Sequence, residues 1–545
     1  MKVEELKKII KGDVTDTKAD LVRYSHDASI FEVEPQLVVF PKDADDVKQL
    51  VKFVSEKKSK DPSLSLTARA AGTDMSGGVL NDSLILDFTK YFKKIGEIHD
   101  HQVVVEPGVF YRDFEKVTLA QDLVFPSYPA SKALCALGGM IANNSGGEKS
   151  LSYGKTLDHV KELSAVLSDG NEYSFGPISK EQLDKKMAQQ NFEGKIYRDV
   201  YKLIEDNYDL IKSAKPSVSK NSAGYYLWEV WDHKTFDLSK LIVGSQGTLG
   251  IITRAKLNLI PVKKHSELLV MFLKDLKPLA EIVNVIKPYK PETFESFDDH
   301  TLSLAVRFLP DMVKRMKGNI IHLGLQFLPE LWMVLTGGLP KLILIAEFTG
   351  DSENEVFDNL KKAEKEVQGK FGIKTHITRT PEETQKYWTI RRESFNLLRQ
   401  HSSGLHTAPF IDDIVVHPKD LPEFLPKLNK IFSQYPHLIY TIAGHAGDAN
   451  FHIIPLMDLA KEDQRQIIPK LSNEVYNLVL EYKGSITAEH NDGLIRTPYL
   501  EKMFGKQMVD IFAQVKNIFD PQNIFNPRKK IGATMDYVLS HIRHK

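Results

Sequence analysis

At 545 residues the chain is too long for a single hydrophobic core, so two or three domains are expected. Lys+Arg and Asp+Glu balance at 72 each, which removes any electrostatic reason to expect a nucleic-acid partner. The single cysteine, Cys135, excludes an intrachain disulfide and a cysteine-ligated iron–sulfur cluster, and it fits a reducing compartment.

Residues 1–13 are charged and amphipathic with no apolar signal core, so a cytoplasmic location is expected. Residues 3–30 read as helix and connector. A strand is expected at 36–40, between Pro35 and Pro41, and a helix at 44–54, where apolar residues recur at helical spacing. A strand at 63–69 runs into Ala70-Ala71-Gly72-Thr73-Asp74-Met75-Ser76-Gly77-Gly78, a loop of small residues that lets backbone N–H groups approach a phosphate. Strands follow at 83–87 and 102–108. A second small-residue run carries Pro129, Ser131, Gly138, Gly139, Asn144, Gly146 and Gly147, and a third carries Gly244, Gly247, Thr248, Gly250 and Ile252. Three such runs beside apolar strands point to a large anionic cofactor lying along backbone. No strand leads into Gly-x-Gly-x-x-Gly, which excludes the common dinucleotide fold. Lys149 stands where a phosphate loop ending at Gly154-Lys155-Thr156 needs glycine.

After Pro261 a new strand–helix series begins. Strands are expected at 265–273, 294–297, 342–348, 411–416, 438–443 and 451–454, with helices at 275–288, 353–370 and 461–483. This composition implies an α+β cap domain with a largely antiparallel sheet. The least polar stretch, 319–348, is broken by Pro329, Glu330, Gly337, Gly338, Pro340 and Lys341 and lacks the ~20 apolar residues of a spanning helix. A buried helix and strand is the plain reading; a peripheral membrane contact is the sharper one.

The chemistry concentrates in Gly444-His445-Ala446-Gly447-Asp448-Ala449-Asn450-Phe451-His452 and Ala488-Glu489-His490-Asn491-Asp492-Gly493. Three imidazoles and a carboxylate suit Zn²⁺ or a similar divalent ion. The glycines argue against a helix, so a tight hairpin is expected, with His445 ending one strand and His452 early on the next.

These runs together resemble the FAD-binding domain of the vanillyl-alcohol oxidase / p-cresol methylhydroxylase superfamily, followed by the C-terminal domain of FAD-linked oxidases. The resemblance extends from Tyr24-Ser25-His26-Asp27 to Asp520-Pro521-Gln522-Asn523-Ile524-Phe525-Asn526-Pro527. It is similar to the branch that oxidises D-lactate, glycolate and D-2-hydroxyglutarate. It implies a two-subdomain FAD domain over 1–262, a substrate or cap domain with a metal site over 263–505, and a segment over 506–545 that returns to the FAD domain. FAD would be held without a covalent bond, since the loop after Ala68 has no His or Cys. Ala71, Gly72, Thr73, Asp74, Met75, Ser76, Gly77 and Gly78 would hold its pyrophosphate. Pro129, Ser131, Gly138, Gly139, Asn144, Gly146, Gly147, Gly154, Gly247, Thr248, Gly250, Ile252 and Asn526 would line the remainder. His445, His452 and Glu489 match metal ligands, His490 the base, and Arg391 an arginine for the substrate carboxylate; Arg496 falls where the family carries Lys or Arg.

The chain departs from the family pattern at Ala449 and Asn491, where relatives have Gly, and at Ile454, where many have Asn. Ile454 has no hydrogen bond to give a substrate, so the departures bear on substrate identity rather than on the ligands. The expected partners are a 2-hydroxy acid and an electron acceptor (a quinone, an electron-transfer protein or O₂); a homodimer is compatible. The rival readings are a flavoenzyme of the alkyl-dihydroxyacetone-phosphate synthase type and a flavin-free metal hydrolase.

Overall fold

In the computed structural model, residues 3–299, 301, 340–401 and 404–544 are described, the side chains of 393–401 excepted. Two four-stranded sheets occupy the N-terminal half. The first is ordered Asp13–Thr15, Leu37–Phe40, Leu84–Asp87, Leu66–Arg69; its outer pair is antiparallel and the others parallel. Leu84–Asp87 is buried at every position, as a central parallel strand covered on both faces requires. The helix Ala44–Lys58 packs Val47, Leu50, Val51 and Val54 onto this sheet, and the Asp43 side chain caps its start by accepting from the Asp46 amide. The second sheet, Gln102–Val105, Ile251–Asn258, Val160–Val166, Glu172–Phe175, is antiparallel throughout.

The third sheet is the cap, eight strands and all antiparallel: Lys374–Ile377, His265–Leu273, Leu342–Gly350, Thr293–Asp298, Ile439–His445, Asn450–Met457, then His406–Thr407, with Ile414–Val415 also on Asn450–Met457. Alternation along Thr293–Asp298 sends Phe294 to the core packed by the helices Leu279–Ile286, Glu353–Phe371 and Leu421–Phe432. Phe297 goes to the other face, against Tyr387, Trp388 and Ile390 of the helix Pro381–His401. Glu295 lies on that second face.

The chain end returns to the first sheet. Leu66 donates to the Ile524 carbonyl at 2.7 Å, and Asn526 donates to that of Leu66 at 2.8 Å. The helix that leads into this returning segment, Leu500–Phe519, runs across a break at Gly505, whose φ of 75° is non-helical. Three expectations are corrected. Residues 3–30 contain a strand, Asp13–Thr15, beside the helices Val3–Leu6 and Lys18–Tyr24. The helix expected at 275–288 spans only Leu279–Ile286, because Pro278 occupies its N-cap and Lys287–Tyr289 tightens to a 3₁₀ turn. The strand expected at 411–416 shrinks to Ile414–Val415, because Asp413 is left-handed (φ 74°) and leaves the ladder. Residues 319–339 of the apolar stretch, and with them the membrane reading, lie outside the described residues. Among the described residues no helix is long and apolar enough to cross a membrane.

Candidate active site

The strands Ile439–His445 and Asn450–Met457 form the expected hairpin, closed by the 3₁₀ turn Ala446–Asp448, with His445 opposite Asn450 and His452 opposite Ala443. The His445 and His452 rings meet at 5.2 Å, nearly perpendicular. His490, from the segment after Thr487, stacks on His452 at 5.0 Å. Glu489 Oε2 lies 3.4 Å from His445 Nε2. The structure thus gathers His445, His452, Glu489 and His490 at one place. One ligand atom each of Asp413, His452, Glu489 and His490 falls within 4.8 Å of the others.

Each imidazole turns Nδ1 to a buried carboxylate. His445 Nδ1 is 2.7 Å from Glu295 Oε1, and His452 Nδ1 is 3.0 Å from Asp412 Oδ1. His490 Nδ1 is 2.8 Å from Asp412 Oδ2, off a good hydrogen-bond line, so that contact is chiefly charge. An ionised carboxylate only accepts, so Nδ1 keeps the proton and Nε2 is the atom left for a metal or a substrate proton.

The electrostatics are those of a cation site. Burial opposes charge on His445 and His490, yet Glu295 beside the first and Asp412 with Asp413 beside the second push each up to about 9. Burial likewise opposes ionisation of Glu295, but Arg391 and His445 hold it at about 2. In the same balance Asp412 is held well below the carboxylate range by His490 and His452, and Glu489 by Lys220 and His445. Five buried carboxylates (Glu295, Asp412, Asp413, Asp448, Glu489) face three fixed cations (Lys220, Arg391, Arg496), which leaves two negative charges. Two extra protons on histidine or one divalent ion neutralises them. The donor set therefore fits a divalent metal.

Asp413 belongs to the frame. Its Oδ2 accepts from Thr487 Oγ1 at 2.7 Å and from the amides of Glu489 and His490 at 2.8 and 2.7 Å, while Asn450 Nδ2 donates to Oδ1 at 3.2 Å. With those lone pairs used, Glu489 is the better carboxylate ligand. Lys220 donates to Glu489 Oε1 at 2.6 Å and lies 3.1 Å from Asp448 Oδ2, leaving Glu489 Oε2 facing the histidines. Arg496 is fully buried and donates to the carbonyls of Asp412 (2.6 Å) and Asn491 (3.0 Å), locking the two acid-bearing segments together.

Arg391 lies on the outer side of this set. Its Nη2 is 2.5 Å from Glu295 Oε2, so it reaches His445 through one shared carboxylate. Sequence reasoning missed Glu295, Asp412 and Lys220. The one signal for Glu295 was a charge inside Phe294-Glu295-Ser296-Phe297, a strand buried at every position.

The glycine runs converge on the same place. Asp74 takes the amides of Ser76 and Gly78 onto its carboxylate at 3.0 and 2.6 Å. Among the described residues the amides of Gly72, Thr73 and Met75 have no protein acceptor. That makes a nest for an anionic group. A side chain at Gly247 (φ 68°) would meet nothing within 4 Å. Gly147 is packed against the Tyr128 carbonyl and Gly138 against Pro107, so these glycines serve close packing. Gly139 meets only Ala70, while Gly250 abuts Leu167 and Val166. Thr248 donates to the Ser245 carbonyl at 2.7 Å and Ile252 is buried in the core, so they present backbone rather than side chain. Asn144 is left-handed (φ 51°) and accepts from the Leu157 amide at 2.9 Å. Gly154 caps a helix with a positive φ of 74°, and Pro129 and Ser131 lie in a half-buried turn. Asn526 Nδ2 donates to the carbonyls of Gly78 (2.8 Å) and Gln246 (2.6 Å), so it braces two runs against each other.

The cap grips these loops directly. Asn491 Nδ2 donates to the carbonyls of Gly244 and Asn143 at 2.9 and 3.2 Å. The Gly493 amide donates to Gln246 Oε1 at 2.8 Å, and that of Leu494 to the Ser76 carbonyl at 2.8 Å. His490 is thereby one residue from the cofactor loops. The free amides and open glycine fit an FAD lying along them.

The FAD binding domain family matches residues 35–176, and the C-terminal domain family of FAD linked oxidases matches residues 262–530. The chain belongs to the FAD-linked oxidase family. The D-2-hydroxyglutarate dehydrogenase of Pseudomonas putida is 27% identical over 95% of the chain but 50% of that protein. The chain thus spans about half the length of such relatives. Glycolate oxidase subunit GlcD of Bacillus subtilis is 27% identical over 94% of the chain and 93% of that protein. The D-lactate dehydrogenase of Archaeoglobus fulgidus is 25% identical over 97% and 99%. Among solved structures, 4-ethylphenol oxidase from Gulosibacter chungangensis superposes with a TM-score of 0.69 at 15% identity over 98% of this chain and 97% of that one. Alkyldihydroxyacetonephosphate synthase does so at 0.66 and 14% over 97% and 84%. At such identities the likeness shows the fold, with its p-cresol methylhydroxylase-type FAD domain and α+β cap.

Proposed function

We propose that this family member is an FAD-dependent oxidoreductase that converts a 2-hydroxy acid of the D-lactate, glycolate or D-2-hydroxyglutarate class to the 2-oxo acid. One observation carries the reading: a histidine–carboxylate cation site shares Glu295 with Arg391 and is bonded, one residue after His490, to the loops that fit FAD. The names of the relatives support the substrate class.

His445, His452 and Glu489 would hold a divalent metal, Zn²⁺ first, and the glycine runs would hold FAD non-covalently. When bound, the metal supplies a Lewis acid for the hydroxyl and the flavin accepts the hydride from the carbinol carbon. Arg391 forks onto the substrate carboxylate and fixes the carbinol carbon beside the cofactor loops. His490 Nε2 takes the hydroxyl proton. Asp412, on Nδ1, orients the ring and stabilises the imidazolium that forms. Lys220 keeps Glu489 from turning away, and Arg496 fixes the backbone that carries both acids. Ile454 presents hydrocarbon where many relatives present an amide, which favours a substrate with little polar substance beyond its hydroxyl and carboxylate.

A panel of 2-hydroxy acids tested for dye reduction and flavin bleaching examines this directly. Bleaching by one enantiomer of one acid supports it. A yellow protein that no 2-hydroxy acid bleaches would redirect the reading to the synthase type, and a colourless protein with hydrolytic activity to the metal hydrolase.

A further inference from the structure

Glu295 stands between the two halves of this site and belongs to neither. Its Oε1 is 2.7 Å from His445 Nδ1 and its Oε2 is 2.5 Å from Arg391 Nη2. The Glu295 side chain is 1% exposed and that of Arg391 is 8%, so their charges act on each other with little solvent screening. Arg391 Nε is buried without an acceptor, so the guanidinium has donor capacity left over. A carboxylate that docks on Arg391 therefore shares the guanidinium with Glu295 and weakens its hold there. The charge that Glu295 loses to Arg391 then returns to His445 Nδ1–H, and an imidazole whose Nδ1–H is held by a stronger anion is a stronger donor at Nε2.

We propose that Glu295 is a positioning residue that couples occupation of Arg391 by a substrate carboxylate to the strength with which His445 binds the metal. The proposal rests on the metal-assisted reading above. By linkage the coupling is reciprocal: a bound metal tightens carboxylate binding at Arg391 by the same factor. The free enzyme would hold its metal less tightly than the substrate complex, with Arg391 drawing on the shared carboxylate.

The test uses flavin-loaded protein and Zn²⁺, with affinity read by competition against a chromophoric chelator. Glu295→Gln keeps the shape and a hydrogen-bond acceptor for His445 but removes the shared charge. It should lower Zn²⁺ affinity about tenfold to a hundredfold without any organic acid present. With substrate it should lower kcat while leaving KM unchanged or reduced, because Arg391 no longer has an internal competitor. A merely structural role would raise KM along with the fall in kcat. Because Glu295→Gln leaves Arg391 unpaired in a buried place, the double variant Glu295→Gln/Arg391→Gln removes the pair altogether. Its Zn²⁺ affinity should match that of Glu295→Gln. Zn²⁺ affinity unchanged in Glu295→Gln, or restored in the double variant, would overturn the proposal while leaving the parent reading intact. A wild-type protein that binds no Zn²⁺ would overturn both.

Discussion

A side-chain carbon at Gly146 would stand 2.6 Å from Glu489 Oε1. The glycine of a cofactor loop and the carboxylate of the cap site are in van der Waals contact, so the two domains share a wall one atom thick. Gly146→Ala should therefore push Glu489 off its place, and it also crowds the Ser150 hydroxyl, 2.9 Å from the added carbon. We expect a yellow protein with about tenfold or weaker metal affinity, measured by elemental analysis after dialysis against a weak chelator. Normal metal content in that variant would show that Glu489 has room to move.

Arg391→Lys keeps the charge and loses the planar fork. A lysine at this site can still pair with Glu295, so stability should change little. Its catalytic efficiency should fall at least tenfold, because a point charge does not orient a carboxylate in two directions. Steady-state kinetics on the best substrate decides this; an unchanged kcat/KM removes Arg391 from substrate binding.

Asn526 closes three hydrogen bonds between the strand Leu66–Arg69, the 71–78 loop and the 244–250 loop: one from Thr67 Oγ1 at 2.8 Å and its own two to Gly78 and Gln246. Asn526→Ala leaves two buried carbonyls without a donor. The expected cost is about 3 kcal/mol, with faster flavin loss on dilution. Thermal unfolding followed by flavin fluorescence reads both; flavin retention with an unshifted transition contradicts a bracing role.

The histidines predict a pH dependence that the metal should erase. His445 and His490 are raised to about 9 in the metal-free fold, above their unfolded value of about 6.5. A raised folded pKa contributes stability that is complete below pH ~6.5 and is lost as pH climbs through 9. Metal-free protein should thus lose thermal stability from pH 7 to 9.5, and metal-loaded protein should lose less, because the ion replaces those protons. Parallel curves for the two forms would contradict the charge balance drawn above.

The parts of the site legible in sequence were those with short-range signatures. The three glycine runs adjoin strands, and the glycines and strand-like flanks around the histidine pair set a hairpin that carries His445 and His452 on its two strands. The departures at Ala449 and Asn491 also become intelligible: both are left-handed, with φ of 53° and 68°, the region in which the glycine expected from the resemblance is unstrained. Asparagine tolerates that region and also uses its amide to hold Gly244. What sequence could not show is the second ring of charges. Glu295 is 150 positions from His445, Asp412 is 78 from His490 and Lys220 is 269 from Glu489. Each is an isolated charged residue whose meaning comes only from strand pairing and domain docking. The shortening of the 411–416 strand has the same origin. The side chains of Asp412 and Asp413 serve the histidine loop, and the Asp413 amide still reaches the neighbouring strand, at the Phe451 carbonyl (3.1 Å).

In the proposed reaction the cation at His445, His452 and Glu489 takes part in the chemistry, with His490 as the base. The deciding measurement is stopped-flow flavin bleaching by the best 2-hydroxy acid, made on wild type before and after chelation and on His452→Ala and His490→Ala with metal and FAD content measured alongside. Chelated wild type and His452→Ala should stay yellow and metal-free, and bleach on the order of a hundredfold more slowly or worse. Added Zn²⁺ restores the former. His490→Ala keeps both metal and FAD and is equally slow. Metal-free wild-type protein that bleaches at full speed would contradict that role of the cation.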